Sequence, residues 1–144
     1  MAGGGEIGLE VFANRAVQEG GCRSAWAIDR RAGAKRALCI YSLERILALQ
    51  EEGHPIFPGA TGENLTLSGV DWDQVVPGAR LKLGAEVVAE VLSYTEPCAA
   101  IKQYFAGGKI GRMLQDRNPG WSRVYAQVLE PGEIRVGDAV ERIE

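Results

Sequence analysis

Cys98 is the residue whose place in the sequence most directly suggests chemistry. It follows Glu96-Pro97, at the end of a predicted strand and the start of a predicted helix. The positive end of a helix dipole favours a thiolate, which attacks electrophiles and binds soft metals. A buried, unreactive cysteine is the structural alternative, and the spacing alone leaves both interpretations open.

A second candidate site is the segment Gly62-Glu63-Asn64, at the start of a predicted strand. A glycine lets the backbone approach a ligand closely, while Asn64 and Glu63 supply a hydrogen-bond donor and an acceptor. The simpler interpretation is a turn that leads into the strand. Considered by itself, the segment favours the turn.

Basic residues provide a possible anion site. Lys35, Arg36, Lys109 and Arg112 could bind an anion such as phosphate, since arginine does so through two hydrogen bonds and stays charged. The glycine-rich segment 107–111 resembles a phosphate-binding loop only loosely, and it lacks the GKS/T ending of a P-loop. We therefore exclude nucleotide hydrolysis. Taken one at a time, such charges are more typical of a solvated surface.

His54 is the one histidine of the chain. This count excludes multi-histidine zinc sites, two-histidine iron sites and HExxH proteases. Because His54 follows a predicted helix directly, in Gly53-His54-Pro55, a capping or surface role is favoured over that of a catalytic base. The three cysteines contain no CxxC pair, which argues against a disulfide framework.

Length and composition predict one globular domain, residues 1–144. Hydrophobic residues make up 46% and charged residues 24%, and 19 glycines indicate many turns. The net charge of −3 argues against nucleic acid as a partner. Apolar stretches are only a few residues long and the N-terminus lacks a signal-peptide pattern, so we expect no membrane partner and a cytoplasmic location.

Short strands separated by glycine turns predict a mainly β fold with a few short helices, built as a closed or nearly closed barrel. Val124, Ala126 and Val128 alternate with polar residues and should share one buried face. Trp72 and Trp121 are interpreted as packing residues of the core or of a pocket rim. The predicted strands cover residues 7–12, 25–28, 37–41, 63–67, 80–83, 86–94, 123–129 and 139–143.

One amphipathic helix is predicted over residues 43–50, with Ser42 as its N-cap and Gly53 as its end. Its buried face is predicted to carry Leu43, Ile46, Leu47 and Gln50. Two further short helices are expected at 99–105 and 110–115, separated by two glycines.

Several segments occur in the order found in MOSC domains, which are named for the C-terminal part of molybdenum cofactor sulfurase. The pairing of a GENLT loop with a downstream Pro-Cys is the most specific of these features. The chain resembles a small stand-alone bacterial member over about residues 33–144. The segments are Arg36-Ala37-Leu38-Cys39-Ile40-Tyr41, Thr61-Gly62-Glu63-Asn64-Leu65-Thr66, Val76-Pro77-Gly78, Pro97-Cys98, Pro119-Gly120-Trp121 and Val136-Gly137-Asp138.

The resemblance implies a MOSC-type β-barrel, mixed α/β by its helix count, that binds the pterin form of molybdenum cofactor. Cys98 would be the catalytic residue and the molybdenum ligand, or a sulfur carrier. Members reduce N-hydroxylated compounds with electrons from partner redox proteins, so the implied partners are a small-molecule substrate and a redox protein. Pyridoxal phosphate is not expected, since the chain has no room for that domain. The cofactor-binding residues that the resemblance implies are Arg36, Gly62, Glu63 and Asn64, and Arg112 is added to them as a basic residue that could bind the phosphate.

One segment differs from the usual pattern of stand-alone members. These carry a Gly-Asp segment, basic residues and a histidine before the first matching strand, whereas residues 18–24 here are QEGGCRS. The difference motivates an alternative function: a non-catalytic barrel that kept the fold and binds a small anionic ligand or a protein partner.

Overall fold

The computed structural model of the chain describes residues 7–8, 10–13, 25–28 and 38–143. Strands dominate this part of the chain, with one α-helix and several short 3-10 helices between them. The strands are β1 (Ile7–Gly8), β2 (Glu10–Ala13), β3 (Ala25–Ile28), β4 (Leu38–Ser42), β5 (Leu65–Ser68), β6 (Arg80–Leu83), β7 (Val87–Tyr94), β8 (Val124–Glu130), β9 (Gly132–Arg135) and β10 (Val140–Ile143). The helices are α1 (Leu43–Glu51) and the 3-10 helices η1 (Trp72–Gln74), η2 (Ala99–Tyr104), η3 (Ala106–Gly108) and η4 (Ile110–Met113).

Within the described residues, eight strands form one curled mixed sheet in the order β1-β10-β6-β7-β8-β4-β5-β2, and β3 pairs separately with β9. The curl makes a half-barrel, which confirms the predicted mainly β, MOSC-type class. The pair β4–β5 is parallel, while the other neighbours in this sheet are antiparallel. Sequence patterning missed β9 because Ile134 is its single large apolar residue, and one residue shows no alternation.

Helix α1 connects the two parallel strands, because parallel neighbours need a crossover rather than a hairpin. Ser42 caps its start, accepting a hydrogen bond from the backbone N of Arg45 at 3.2 Å. At its end, Gly53 has a φ of +101° and donates to Gln50 O at 2.9 Å, while His54 N donates to Leu49 O at 3.1 Å. This pair of bonds is a Schellman motif, which confirms the predicted cap and end.

The predicted buried face of α1 was partly wrong. Ile46 and Leu49 are fully buried, whereas Leu47 is 48% exposed and Gln50 is exposed as well. Only a narrow stripe of the helix faces the sheet, because its two buried residues, Ile46 and Leu49, are three positions apart. Apolar spacing alone did not show which of two neighbouring stripes would face the sheet.

Alternating side chains of the antiparallel strands supply the core. The predicted face of β8, with Val124, Ala126 and Val128, is buried, and Trp72 packs with the core as expected. The matching buried residues of β6 and β7 are Leu81, Leu83, Val87, Ala89 and Val91.

The segment between β7 and β8 contains helices η2, η3 and η4. Short helices were predicted here, and the structure confirms their positions in 3-10 form. Gly107 and Gly108 have φ values of +68° and +69°, a conformation that side-chain-bearing residues rarely adopt, and they prevent a continuous helix. Among the described residues, no helix has the length and hydropathy needed to cross a membrane.

Candidate functional site

Cys98 lies at the N-terminal end of helix η2, four residues after strand β7 ends at Tyr94. Its thiol is exposed, whereas Cys39 in β4 is buried. The two cysteines therefore occupy opposite environments. Cys39 is a small hydrophobic residue of the core, and Cys98 is accessible to a reagent or a ligand.

A cavity of about 660 Å³ lies next to Cys98 and is lined by its neighbour Ala99. Cys98 itself is not one of the lining residues. Five basic side chains line the cavity: His54, Lys102, Lys109, Arg112 and Arg117. The volume falls within the range of about 300–1,000 Å³ that is usual for small-molecule and cofactor sites. The cavity is thus suited to an anionic ligand.

A glycine leaves room for one of these cations. A Cβ atom at Gly111 would lie 2.9 Å from Nη1 of Arg117, closer than real Cβ contacts allow. Gly111 also lines the cavity, so its missing side chain leaves room for the Arg117 guanidinium beside it.

The cavity cations differ in their partners. Arg112 donates from Nε to Glu52 Oε1 at 2.9 Å and from Nη2 to Glu52 Oε2 at 2.7 Å. These hydrogen bonds lower the pKa of Glu52 below its ordinary value and raise the pKa of Arg112. Lys102, Lys109 and Arg117 form no ion pair within the described part of the chain. Their charge is available to a ligand.

Arg112 forms a cation–π contact with Trp121, and its guanidinium carbon lies 4.0 Å from the centre of the ring. Its backbone O accepts from the hydroxyl of Tyr41 at 2.7 Å, and burial raises the pKa of Tyr41, so that this hydroxyl remains a donor. Arg45 also lies over the ring, at 4.8 Å. Trp121 is partly buried and packs against the core, which agrees with its predicted packing role.

His54 has a structural role in this cavity wall. Its Nδ1 accepts a hydrogen bond from the backbone N of Ala106 at 3.0 Å, and its ring lies 5.2 Å from that of Phe105. Nε2 is 3.5 Å from Glu52 Oε1. An imidazole whose Nδ1 accepts a bond in this way ties the loop after α1 to helix η3, and the Schellman bond of its backbone agrees with the predicted capping role.

Glu63 is completely buried, and its carboxylate is used within the protein. One oxygen accepts from Thr61 Oγ1 at 2.7 Å; the other accepts from Gly59 N at 2.8 Å and from Thr66 Oγ1 at 3.2 Å. These bonds hold the loop that precedes β5. The described contacts of Glu63 thus match the turn interpretation of this segment.

Asn64 joins the same loop to strand β4. Its Oδ1 accepts from the backbone N of Cys39 at 2.8 Å, and its own N donates to Cys39 O at 2.7 Å. Gly62 has a φ of +91°, a value that favours glycine at this turn. Asn64 therefore extends the β4–β5 pairing by one further residue.

The structure brings Lys109 and Arg112 together in the cavity that Ala99, the residue after Cys98, also lines, and it places Gly62, Glu63 and Asn64 in the loop before β5 rather than in the cavity wall. Lys35 and Arg36 lie outside the described residues, so their roles stay predictions. Sequence reasoning missed Lys102 and Arg117. A signal existed: residues 99–118 contain four basic residues and a single acidic one.

The chain belongs to the MOSC domain family, whose model matches residues 27–141. This match confirms the resemblance seen in the motifs. Among solved structures, YiiM from Geobacillus stearothermophilus superposes with a TM-score of 0.67 at 27% identity, covering 83% of this chain and 60% of that one. YiiM from Escherichia coli gives a TM-score of 0.70 at 20% identity, covering 96% and 70%; this likeness supports the fold.

Two curated relatives are similar in sequence. YflK of Bacillus subtilis, named as an uncharacterized protein, is 30% identical over 110 residues, which are 76% of this chain and 48% of that protein. A protein of Gibberella moniliformis named "Reductase" is 31% identical over 87 residues, 60% of this chain and 15% of that protein. The chain thus spans about half the length of YflK and a smaller part of the reductase.

Proposed function

We propose that this chain holds a molybdenum–pterin cofactor in the cavity beside Cys98 and reduces N-hydroxylated compounds there. The observation that carries the proposal is the exposed Cys98 thiol next to a cavity rich in cations. Membership of the MOSC family and the relative named "Reductase" support it.

The residues present fit such a cofactor. A thiolate is a soft ligand that suits a transition metal, and Cys98 is accessible. The phosphate of a pterin cofactor needs cations, and Lys102, Lys109 and Arg117 face the cavity without an ion-pair partner among the described residues. Arginine and lysine bind phosphate readily through charge-assisted hydrogen bonds.

The cofactor, when bound, supplies oxygen-atom acceptance and a two-electron change. In the reaction, the N–O bond of R–NHOH breaks, two electrons and two protons are taken up, and R–NH₂ and water are formed. A partner redox protein would provide the electrons. Within the chain, Cys98 would hold the metal, the basic side chains would hold the phosphate, and Arg112 on Trp121 would form a rigid wall that orients the bound molecule.

Molybdenum content tests the proposal directly. The protein is purified without oxygen from a host that makes the cofactor, and molybdenum per chain is measured by elemental analysis. We expect close to one metal per chain, lost in Cys98→Ala and retained in the matched control Cys39→Ala. A metal-loaded sample should then convert a hydroxylamine to its amine when a low-potential dye supplies electrons.

Other results assign other functions. Metal that stays bound in Cys98→Ala contradicts the ligand assignment. Metal without N-hydroxyl reduction, together with a persulfide on Cys98 detected by mass spectrometry, would assign the sulfur-carrier role. No metal in any sample would leave the non-catalytic barrel, which binds a small anion or a protein partner.

A further inference from the structure

His54 is the cavity residue whose charge can change near neutral pH. It is the one histidine of the chain, and it lines the cavity with its side chain 10% exposed. Histidine is the side chain that ordinarily gains or loses a proton between pH 5 and 8. Lysine and arginine, which supply the other cavity cations, stay charged throughout this range. Among the described lining residues, His54 alone can therefore change the charge of the cavity near neutral pH.

The hydrogen bonds of the His54 ring fix its neutral form in this structure. Nδ1 accepts from the backbone N of Ala106 at 3.0 Å, and a ring nitrogen that accepts a hydrogen bond carries no proton. The hydrogen of the neutral ring is then on Nε2, which lies 3.5 Å from Glu52 Oε1. Protonation of Nδ1 would place a second donor opposite the Ala106 N–H. The bond that ties the loop after α1 to helix η3 would be lost.

The charged groups around the ring come from several elements. Glu52, directly after α1, faces Nε2 and also holds Arg112 of η4. The charges of Glu52 and Arg112 cancel, so protonation of His54 gives this cluster a net positive charge. Helix η3 adds no titratable side chain, since its sequence is Ala-Gly-Gly. The other charged residues that line the cavity with His54 are Lys102, Lys109 and Arg117.

Loss of the bond to Ala106 would also affect the cavity wall. Ala106 is the first residue of helix η3, and Gly108 at the end of this helix lines the cavity. Lys109, which follows directly, lines it as well. Protonation of His54 therefore acts on the wall as well as on the charge of the cavity.

We propose that His54 is a pH switch of this cavity: its protonation strengthens the binding of a doubly charged anion and releases helix η3. The inference rests on the proposed function only in taking the cavity as an anion site. A positive charge added to the cavity wall attracts a bound anion, and by linkage the anion must favour the protonated ring by the same factor. A cofactor that carries a phosphate would be held more tightly at acidic than at neutral pH.

Sulfate is the probe, because it stays a dianion over the whole range. Its dissociation constant is measured by calorimetry at about pH 5.5 and 7.5, at constant ionic strength, on the full chain purified without the cofactor. We expect about fivefold tighter binding at the lower pH, the effect in water of one added charge a few ångströms away.

His54→Asn removes the switch and keeps the tie to η3. Its amide oxygen can accept from Ala106 N as Nδ1 does, but the amide takes up no proton in this range. This variant should bind sulfate equally at both pH values. The control Asp116→Asn removes an exposed carboxylate from the same part of the chain and should keep the pH difference.

Proton NMR follows the switch in the wild type. Because the chain has one histidine, its imidazole gives a single set of signals. Saturating sulfate should raise the midpoint of this titration by about 0.7 of a pH unit, the same fivefold factor on the pH scale. The amide signal of Ala106 should shift with the same midpoint as the ring. This measurement needs no variant, so it tests the proposal even if His54→Asn does not fold.

Three results would overturn the switch: a sulfate affinity in the wild type that is absent or equal at both pH values, a pH difference that survives in His54→Asn, or an imidazole titration that sulfate does not move. Failure of the proposed function is distinguishable, since it would show as protein without molybdenum that still binds sulfate more tightly in acid. If both hold, more molybdenum should remain after dialysis at the lower pH, and His54→Asn should remove this difference.

Discussion

Arg112 and Glu52 form a two-bond ion pair across 60 positions of sequence, at 2.9 and 2.7 Å, in the wall of the cavity beside Cys98. Glu52 thereby neutralises one cavity cation, while Lys102 and Lys109 have no ion pair among the residues described. Glu52 should therefore lower the affinity of the cavity for anions. A ligand phosphate must compete with its carboxylate for Arg112.

Replacing Glu52 by Gln should strengthen binding of inorganic phosphate or pyrophosphate in the cavity. A unit charge a few ångströms away contributes on the order of 1 kcal/mol in water. We therefore expect the dissociation constant, measured by calorimetry, to fall about twofold to fivefold. Glu51→Gln, at the preceding residue and with the same change of net charge, is the control and should change little. Weaker binding in Glu52→Gln would instead show that Glu52 is needed to position Arg112.

Acid should weaken the same ion pair. The folded-state pKa of Glu52 is lowered, chiefly by its hydrogen bonds from Arg112. Its stabilising contribution is therefore complete above the unfolded pKa of glutamate, near 4.3, and is lost as the pH falls through the lower folded value. Glu52→Gln should flatten the pH dependence of unfolding free energy in this acidic window, within about 1 kcal/mol since the pair is partly exposed. Urea unfolding from pH 6 to pH 3 measures it, and an unchanged slope would contradict the assignment.

Glu63 should contribute to the free energy of unfolding, because its carboxylate is bonded within the protein. Glu63→Gln removes the charge of the carboxylate, which accepts hydrogen bonds from Gly59 N and from the hydroxyls of Thr61 and Thr66. Hydrogen bonds to a charged group are worth about 1.5–3 kcal/mol and those to a neutral group about 0.5–1.5 kcal/mol, so we expect a loss of about 1–3 kcal/mol of unfolding free energy. The exposed Glu133→Gln is the control, and the urea midpoint is the measurement. A midpoint equal to that of the wild type would return Glu63 to the list of ligand-binding candidates.

The thiols should differ in reactivity. Cys98 is exposed and Cys39 is buried in β4, so a thiol reagent under native conditions should modify Cys98 first, by at least an order of magnitude in rate. Mass mapping of labelled peptides separates these two from Cys22. Cys98→Ala should remove the fast phase and leave the slow one. Equal labelling of Cys39 and Cys98 would contradict the accessible site.

Local chemistry determined the elements that the sequence could predict. The hydroxyl of Ser42, the φ of Gly53 and the alternation along β8 act within a few residues of each other, so spacing alone reveals them. The same holds for Cys98 at the junction of a strand and a helix. The GENLT and Pro-Cys motifs, taken together, were enough to identify the family.

Only the tertiary structure decided which residues meet. Glu52 reaches Arg112 over 60 positions, and Asn64 meets Cys39 because β4 and β5 pair in parallel. No local pattern encodes such a pairing, since it depends on how the sheet curls and on which side chains the core excludes. The stripe of α1 that faces the sheet was decided in the same way. Burial is a property of the assembled layers, so no local pattern of residues reveals it.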